Sequence, residues 1–345
     1  MNTGFTSSSV LKTFRWAAAG VGVMLIANAV YKEISKFKFA GKVVLITGGS
    51  RGLGLVLARQ LASHGAKLAL CARSADKLEI ARQQLEKMGA DVMAIPADIT
   101  DQYQVKSMIN DVVRKYGRID VLINNAGIIQ VGPQETMTIE DYEKAMQTNF
   151  WAPLYAIHAA LPYFRRQGGG RIVNITSIGG KIAVPHLLPY SASKFAAVGL
   201  SEGLHAELKK ENIRVTTIVP GLMRTGSPRN ITVKGNHEAE YAWFKVAGSS
   251  PLLSQEAEAA AQMIITAIEY GESEAILSLS GKVASVVKGI APGWINIALG
   301  VANALLPAPV TGTNKAKKGY EAESSSSRGV VASLSDKAAV RNNEM

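Results

Sequence analysis

Tyr190 and Lys194, in the run Pro189-Tyr-Ser-Ala-Ser-Lys194, stand four residues apart. On a helix that spacing puts both side chains on one face, one above the other. A free phenol has a pKa near ~10, too high for efficient proton exchange at neutral pH. A cation beside it favours the phenolate and pulls that value toward the working range. The pair is therefore a candidate proton donor and acceptor. Alone, Tyr-x-x-x-Lys is a common pattern on exposed helices, so its weight rests on what surrounds it.

A second group of residues suits phosphate. Lys42-Val-Val-Leu-Ile-Thr47 is apolar and rich in β-branched residues, as a buried strand is. Gly48-Gly-Ser-Arg-Gly-Leu-Gly54 follows it, and residues 55–64 read as a helix. A glycine-rich turn between a strand and a helix N-terminus offers bare backbone N–H groups and a helix dipole to a pyrophosphate. Gly48, Ser50, Arg51, Gly52, Leu53 and Gly54 are its candidate contacts. The spacing is Gly-x-x-x-Gly-x-Gly, not the commoner Gly-x-Gly-x-x-Gly.

Positioning these groups takes a frame of alternating elements. Strands are expected at 67–72, 91–94, 121–124, 171–176, 214–219 and 275–279, and helices at 76–88, 101–116, 139–167, 190–210 and 254–270. That order specifies an α/β fold, a doubly wound parallel sheet with helices on both faces and right-handed crossovers.

With its motifs in this order, the stretch from 40 to 280 resembles a short-chain dehydrogenase/reductase of the Rossmann type. The resemblance rests on Thr47-Gly48-x-x-x-Gly52-x-Gly54, Asn124-Asn125-Ala126-Gly127, Asn149, Ser177, Tyr190-x-x-x-Lys194, and Pro220-Gly221 with Thr225. It implies an oxidoreductase that interconverts a carbonyl and an alcohol by hydride transfer. Tyr190 would be the acid and base, and Lys194 would lower its pKa and bind the nicotinamide ribose. Ser177 would donate to the substrate oxygen as charge develops, and Asn149 would hold a water that links Lys194 to solvent. Without the family pattern, Ser177 reads as a helix cap and Asn149 as a solvated helix position. The resemblance further places Asp98 and Ile99 at the adenine, Asn125, Ala126 and Gly127 beside the cofactor, and Pro220, Gly221 and Thr225 at the nicotinamide.

Charge selects the cofactor. An acid after the second strand would bind the ribose 2′-hydroxyl of NAD and repel a 2′-phosphate. Here the strand ends Cys71-Ala72-Arg73 with no acid, and Arg51 lies in the glycine loop. Both arginines suit a 2′-phosphate, so NADP is expected. A catalytically silent NADP-binding sensor or scaffold at a membrane is the alternative, disfavoured by the intact Ser177, Tyr190 and Lys194.

The five histidines show no metal-ligand spacing, and no metal is expected. His186 reads as a surface-loop residue. The single cysteine, Cys71, cannot form an intramolecular disulfide and reads as a small buried hydrophobe. No nucleic-acid motif accompanies the net charge of +11, which suits an anionic membrane surface better.

The ends depart from the family core. Segment 1–38 holds an uncharged run at 16–31, with Trp16 and Tyr31 at its ends and Lys32, Lys36 and Lys38 after it. A membrane anchor, a cleaved signal peptide and a packed soluble helix compete for it. The anchor, with the catalytic domain (39–281) facing the cytoplasm, is favoured over a soluble cytoplasmic protein. Segment 282–310 is apolar and broken by Pro292-Gly293, suiting a membrane-interfacial hairpin, a dimer interface or a lid. Segment 311–345 reads as a disordered tail. The substrate is expected to be small and hydrophobic; a homodimer or homotetramer is left open.

Overall fold

Seven strands of the described residues pair in parallel: β1 (Val43–Thr47), β2 (Lys67–Ala72), β3 (Val92–Pro96), β4 (Val121–Asn124), β5 (Gly170–Ile175), β6 (Ile213–Val219) and β7 (Glu274–Ile276). Their spatial order is β7-β6-β5-β4-β1-β2-β3. The chain starts in the middle of the sheet, winds to one edge, then crosses back. Helices cover both faces, so β1 is buried along its whole length and reads as a continuous apolar run. The computed structural model describes residues 33–251, 254–310 and 315–345. Residues 39–345 form one unit and 1–38 another. The run at 16–31, with its three competing readings, lies outside the described residues.

Helices α1 (Gly52–Ser63), α2 (Ala75–Lys87), α3 (Gln102–Tyr116), α4 (Ile139–Met146), α5 (Ala152–Arg166), α6 (Leu188–Leu208), α7 (His237–Ser249) and α8 (Ala257–Tyr270) follow the expected order. Their starts are set by side chains. Ser74 caps α2 by accepting from the Lys77 N–H, and Asp101 caps α3 by accepting from Tyr103 and Gln104. One core cluster lies under α3 and α5, where Val105, Met108, Ile109, Ile157 and Phe164 meet Leu122, Ile172 and Val215 of the sheet.

The structure revises the expected elements in four places. The single helix expected at 139–167 is interrupted by a π-helical turn, Gln147–Trp151. Ser254–Glu256 is a short strand paired with Leu222–Arg224, so α8 starts later than expected. Strand β7 ends at Ile276, and Leu279 opens a further helix, α9 (Leu279–Ile290), followed by α10 (Pro292–Ala304). The tail from 311 is not a featureless coil: Lys317–Lys318 pairs with Thr232–Val233, and α11 (Val330–Arg341) packs against α7. Its lysines, glycines and the serine run 324–327 give a composition like that of disorder, yet Ala332, Ser335, Ala338 and Ala339 of α11 are buried against their neighbours.

Candidate active site

The order of the sheet reverses between β1 and β4, and a crevice opens at the carboxyl ends of both strands. Thr47 and Asn125 tie those two ends together. The Thr47 hydroxyl accepts from the N–H groups of Asn125 (3.1 Å) and Ala126 (3.2 Å), and Asn125 Nδ2 donates to the carbonyls of Thr47 (3.0 Å) and Gly48 (3.2 Å). The glycine turn between β1 and α1 cannot carry side chains at its crossing point. A Cβ on Gly54 would stand 2.2 Å from the Gly48 carbonyl oxygen, and Gly48 has φ +67°. Helix α1 opens with no side-chain cap and no acid in its first turn, so its dipole favours an anion there, although its Gly52 N–H donates to the Asn342 carbonyl. These residues fit a dinucleotide phosphate.

The proton-transfer candidates converge beside this turn. Tyr190 and Lys194 lie in the first two turns of α6, and Ser177 follows β5. A Cβ on Gly179 would lie 3.1 Å from the Tyr190 ring and 3.4 Å from Ser177 Oγ, so the hydroxyl and the phenol share one side of the crevice. Ser177 also caps the short turn after β5 by accepting from the Gly179 N–H at 3.0 Å. Its structural and chemical readings therefore coexist. The Lys194 ammonium, buried, donates to the Ile175 carbonyl at 2.9 Å.

Asn149 sits in the π-helical turn, a feature frequent at functional sites because it redirects side chains. It is 2 % exposed, not solvated. Its amide donates to Ser193 Oγ (2.9 Å) and the Ile128 carbonyl (3.1 Å), while its Oδ1 accepts from the Ile128 N–H. A Cβ on Gly127 would meet Asn149 Oδ1 at 3.0 Å and Lys194 Nζ at 3.5 Å, which puts the amide and the ammonium together on the side of that glycine where a side chain would stand.

Burial sets the electrostatics. It pushes the Tyr190 phenol up to about 12, with the Ser177 hydroxyl opposing it. It lowers the Lys194 ammonium to about 8. The expected lowering of the phenol by Lys194 is thus not present in the protein alone: desolvation sets the shift, and the ammonium stands 5.8 Å from the ring centroid. Burial likewise pushes the Cys71 thiol up to about 12, as expected for an inert core cysteine.

Other expected contacts are placed as follows. Ser50 and Leu53 are buried in the turn, and Arg51 flanks it. Arg73 is exposed beyond β2, and Asp98 binds the Thr100 N–H and hydroxyl at the end of β3, before buried Ile99. Pro220 accepts from the Ile178 N–H, Gly221 passes close to Ser278, and Thr225 is buried, its hydroxyl accepting from Ser227. A depression of about 780 Å³ lies against Arg73, Thr100 and α4, and Tyr190 does not line it.

Three features were not foreseen. Lys77, one turn into α2, joins Arg51 near the glycine loop. His186 is not on a surface loop: it is buried and pairs with fully buried Glu240 at 2.8 Å, while Trp243 donates to the same carboxylate. The pair anchors α7 beside an apolar cluster of Leu187, Ile231, Tyr241 and Phe244, against which Ile129, Val184, Trp243 and Tyr190 itself pack. The third is the C-terminus, which reaches the glycine loop. Nothing in a single sequence pairs His186 with Glu240 across 54 positions.

Comparison with known proteins agrees with this geometry. A family model described as short chain dehydrogenase matches residues 42–234. A dehydrogenase/reductase SDR family protein 7-like from Anopheles gambiae is 34% identical over 265 residues, 74% of this chain and 82% of that protein. An 11-beta-hydroxysteroid dehydrogenase-like 2 from Arabidopsis thaliana is 35% identical over 261 residues, 75% and 80% of the two chains. Among solved structures, levodione reductase superposes with a TM-score of 0.60 at 29% identity, covering 69% of this chain and 96% of that one.

Proposed function

The chain belongs to the short-chain dehydrogenase/reductase family of oxidoreductases acting on alcohols and carbonyls, and on that premise we propose that it is an NADP-dependent enzyme for a hydrophobic carbonyl or alcohol at a membrane surface. The convergence of Ser177, Tyr190, Lys194 and Asn149 beside the glycine turn carries this reading. NADPH, when bound, supplies the hydride. Tyr190, protonated at neutral pH in its buried setting, donates its proton to the substrate oxygen. Ser177 donates to that oxygen as negative charge develops on it. Lys194, held near about 8 by burial, stands close enough to neutrality to refill Tyr190. Asn149, close to Lys194 at Gly127, holds the water through which Lys194 exchanges protons with solvent.

NADP is supported by Arg51, Arg73 and Lys77, and by a second strand that ends Cys71-Ala72-Arg73 with no acid of its own to repel a 2′-phosphate. A hydrophobic substrate is supported by the wall of Ile129, Val184, Leu187 and Trp243 beside Tyr190; the steroid named in one relative points the same way. Membrane contact is supported by α9 and α10. Among the described residues no helix is long and apolar enough to cross a membrane. Yet α10 has no buried residue, and its Trp294 (72 % exposed) and Ile297 (65 %) are exposed together with Leu279, Val283 and Ile290 of α9. Lys282 is exposed on the same helix and suits anionic lipid, while Lys288 turns back to the Lys181 carbonyl and the Phe195 ring.

The test is consumption of NADPH and of NADH by the full-length protein with a panel of steroid, retinoid, fatty and sphingoid ketones and of small polar ketones. Faster turnover with NADPH and an apolar ketone is expected. A preference for NADH, or for polar ketones only, would overturn the cofactor or the substrate assignment respectively.

A further inference from the structure

The last residues of the chain lie in the crevice that the preceding reading gives to the cofactor. Their approach is fixed by several independent contacts. Buried Lys245 of α7 donates to Glu323 (2.9 Å) and Asp336 (3.2 Å), and Ser249 and Ser335 share a hydroxyl hydrogen bond of 2.6 Å. Gly226 lets α11 come close, since a Cβ there would stand 2.4 Å from Ala339 Cα. Past Arg341 the chain turns into the glycine loop.

There it takes groups that an anionic ligand would use. The Gly52 N–H, at the start of α1, donates to the Asn342 carbonyl at 2.9 Å. Asn343 Nδ2 donates to the carbonyls of Ser50 (3.0 Å) and Lys77 (3.2 Å), and Lys77 Nζ donates to a Met345 oxygen at 2.7 Å. The Glu344 carboxylate, only 6 % exposed, accepts from Asn230 at 2.5 Å and lies 3.4 Å from Arg51. One of its oxygens is 2.5 Å from where a Cβ of Gly52 would stand. A carboxylate set against the first residue of an uncapped helix and beside an arginine, with a carbonyl on the Gly52 N–H, takes up the space and the dipole that a phosphate would use there.

We propose that residues 342–345 are an internal competitor of the dinucleotide: the docked C-terminus occupies the glycine loop and Arg51, and the cofactor binds when it leaves. The inference rests on the proposed cofactor site at that loop. Because the competitor is tethered, no concentration step weakens it. A site blocked about nine-tenths of the time raises the apparent Kd for cofactor about tenfold.

The test compares NADPH titrations, read by fluorescence, of the full-length protein, a chain ending at Arg341, and the full-length variant Glu344→Lys. The last keeps every residue of α11 and sets a cation against Arg51 and Lys77. Both altered chains should bind NADPH about tenfold more tightly. A synthetic peptide of residues 330–345 should weaken binding to the shortened chain, and NADPH should speed amide exchange at 342–345 in the full-length protein. Equal or weaker binding by the altered chains, or exchange slowed by NADPH, would overturn the competition while leaving the cofactor site standing. Absence of NADPH binding in all three would overturn both readings.

Discussion

Each residue proposed for proton transfer has a partner that holds it in place. Lys194 is fixed by the Ile175 carbonyl and Asn149 by both polar groups of Ile128, so neither side chain needs a ligand to be ordered. Their identities were legible in the sequence because the chemistry demands particular types at a fixed spacing. The electrostatics were not legible. A lysine four residues on suggests a lowered phenol, but burial dominates, and burial is a property of the assembled fold. The cofactor preference belongs to this scale too. Replacing Arg51 and Arg73 together by Ala removes charge-assisted bonds worth roughly 1.5–3 kcal/mol each. The ratio of NADPH to NADH affinity, measured by titration, should fall by at least an order of magnitude. Taking the ratio also cancels any release of the C-terminus by the loss of Arg51. An unchanged ratio would place the 2′-phosphate elsewhere.

At the scale of elements, period and punctuation decided what could be read ahead. Strands β1, β2 and β4 were visible as short apolar runs because both faces are covered. The π-helical turn was invisible, since one extra residue per turn leaves hydrophobic spacing almost unchanged over a single turn. Helix α11 was hidden in a segment of lysines, glycines and serines, and its small residues serve close approach rather than area. The pair α9–α10 was foreseen as an apolar, Pro-broken segment, and its exposure in the structure favours a lipid surface as its cover. A chain lacking residues 1–38 should therefore lose much of its membrane association but still float with anionic lipid vesicles. The further changes Trp294→Glu and Ile297→Glu should abolish that flotation, because they set charge into the face taken to rest among the lipids. Flotation unaffected by both changes would contradict a role for α10.

For the whole molecule, the alternation of strands and helices was enough to specify the winding of the sheet, because right-handed crossovers leave few arrangements. The crevice at the reversal between β1 and β4 then follows from topology, and the glycine turn, Ser177 and Thr225 are delivered to it by chain ends that the same topology brings together. What the order of elements cannot specify is where the C-terminal segment returns, since 342–345 meets the glycine loop across nearly the whole chain length. The central claim is that this assembled crevice performs acid–base chemistry on a carbonyl through Tyr190. Its most direct test is steady-state turnover of Tyr190→Phe with the best ketone from the panel, beside an NADPH titration of the same variant. The change deletes one hydroxyl and little volume. Turnover should fall by at least ~10²-fold, the loss expected for a positioned acid, while NADPH affinity stays close to that of the parent. Turnover within a few-fold of the parent would contradict the account.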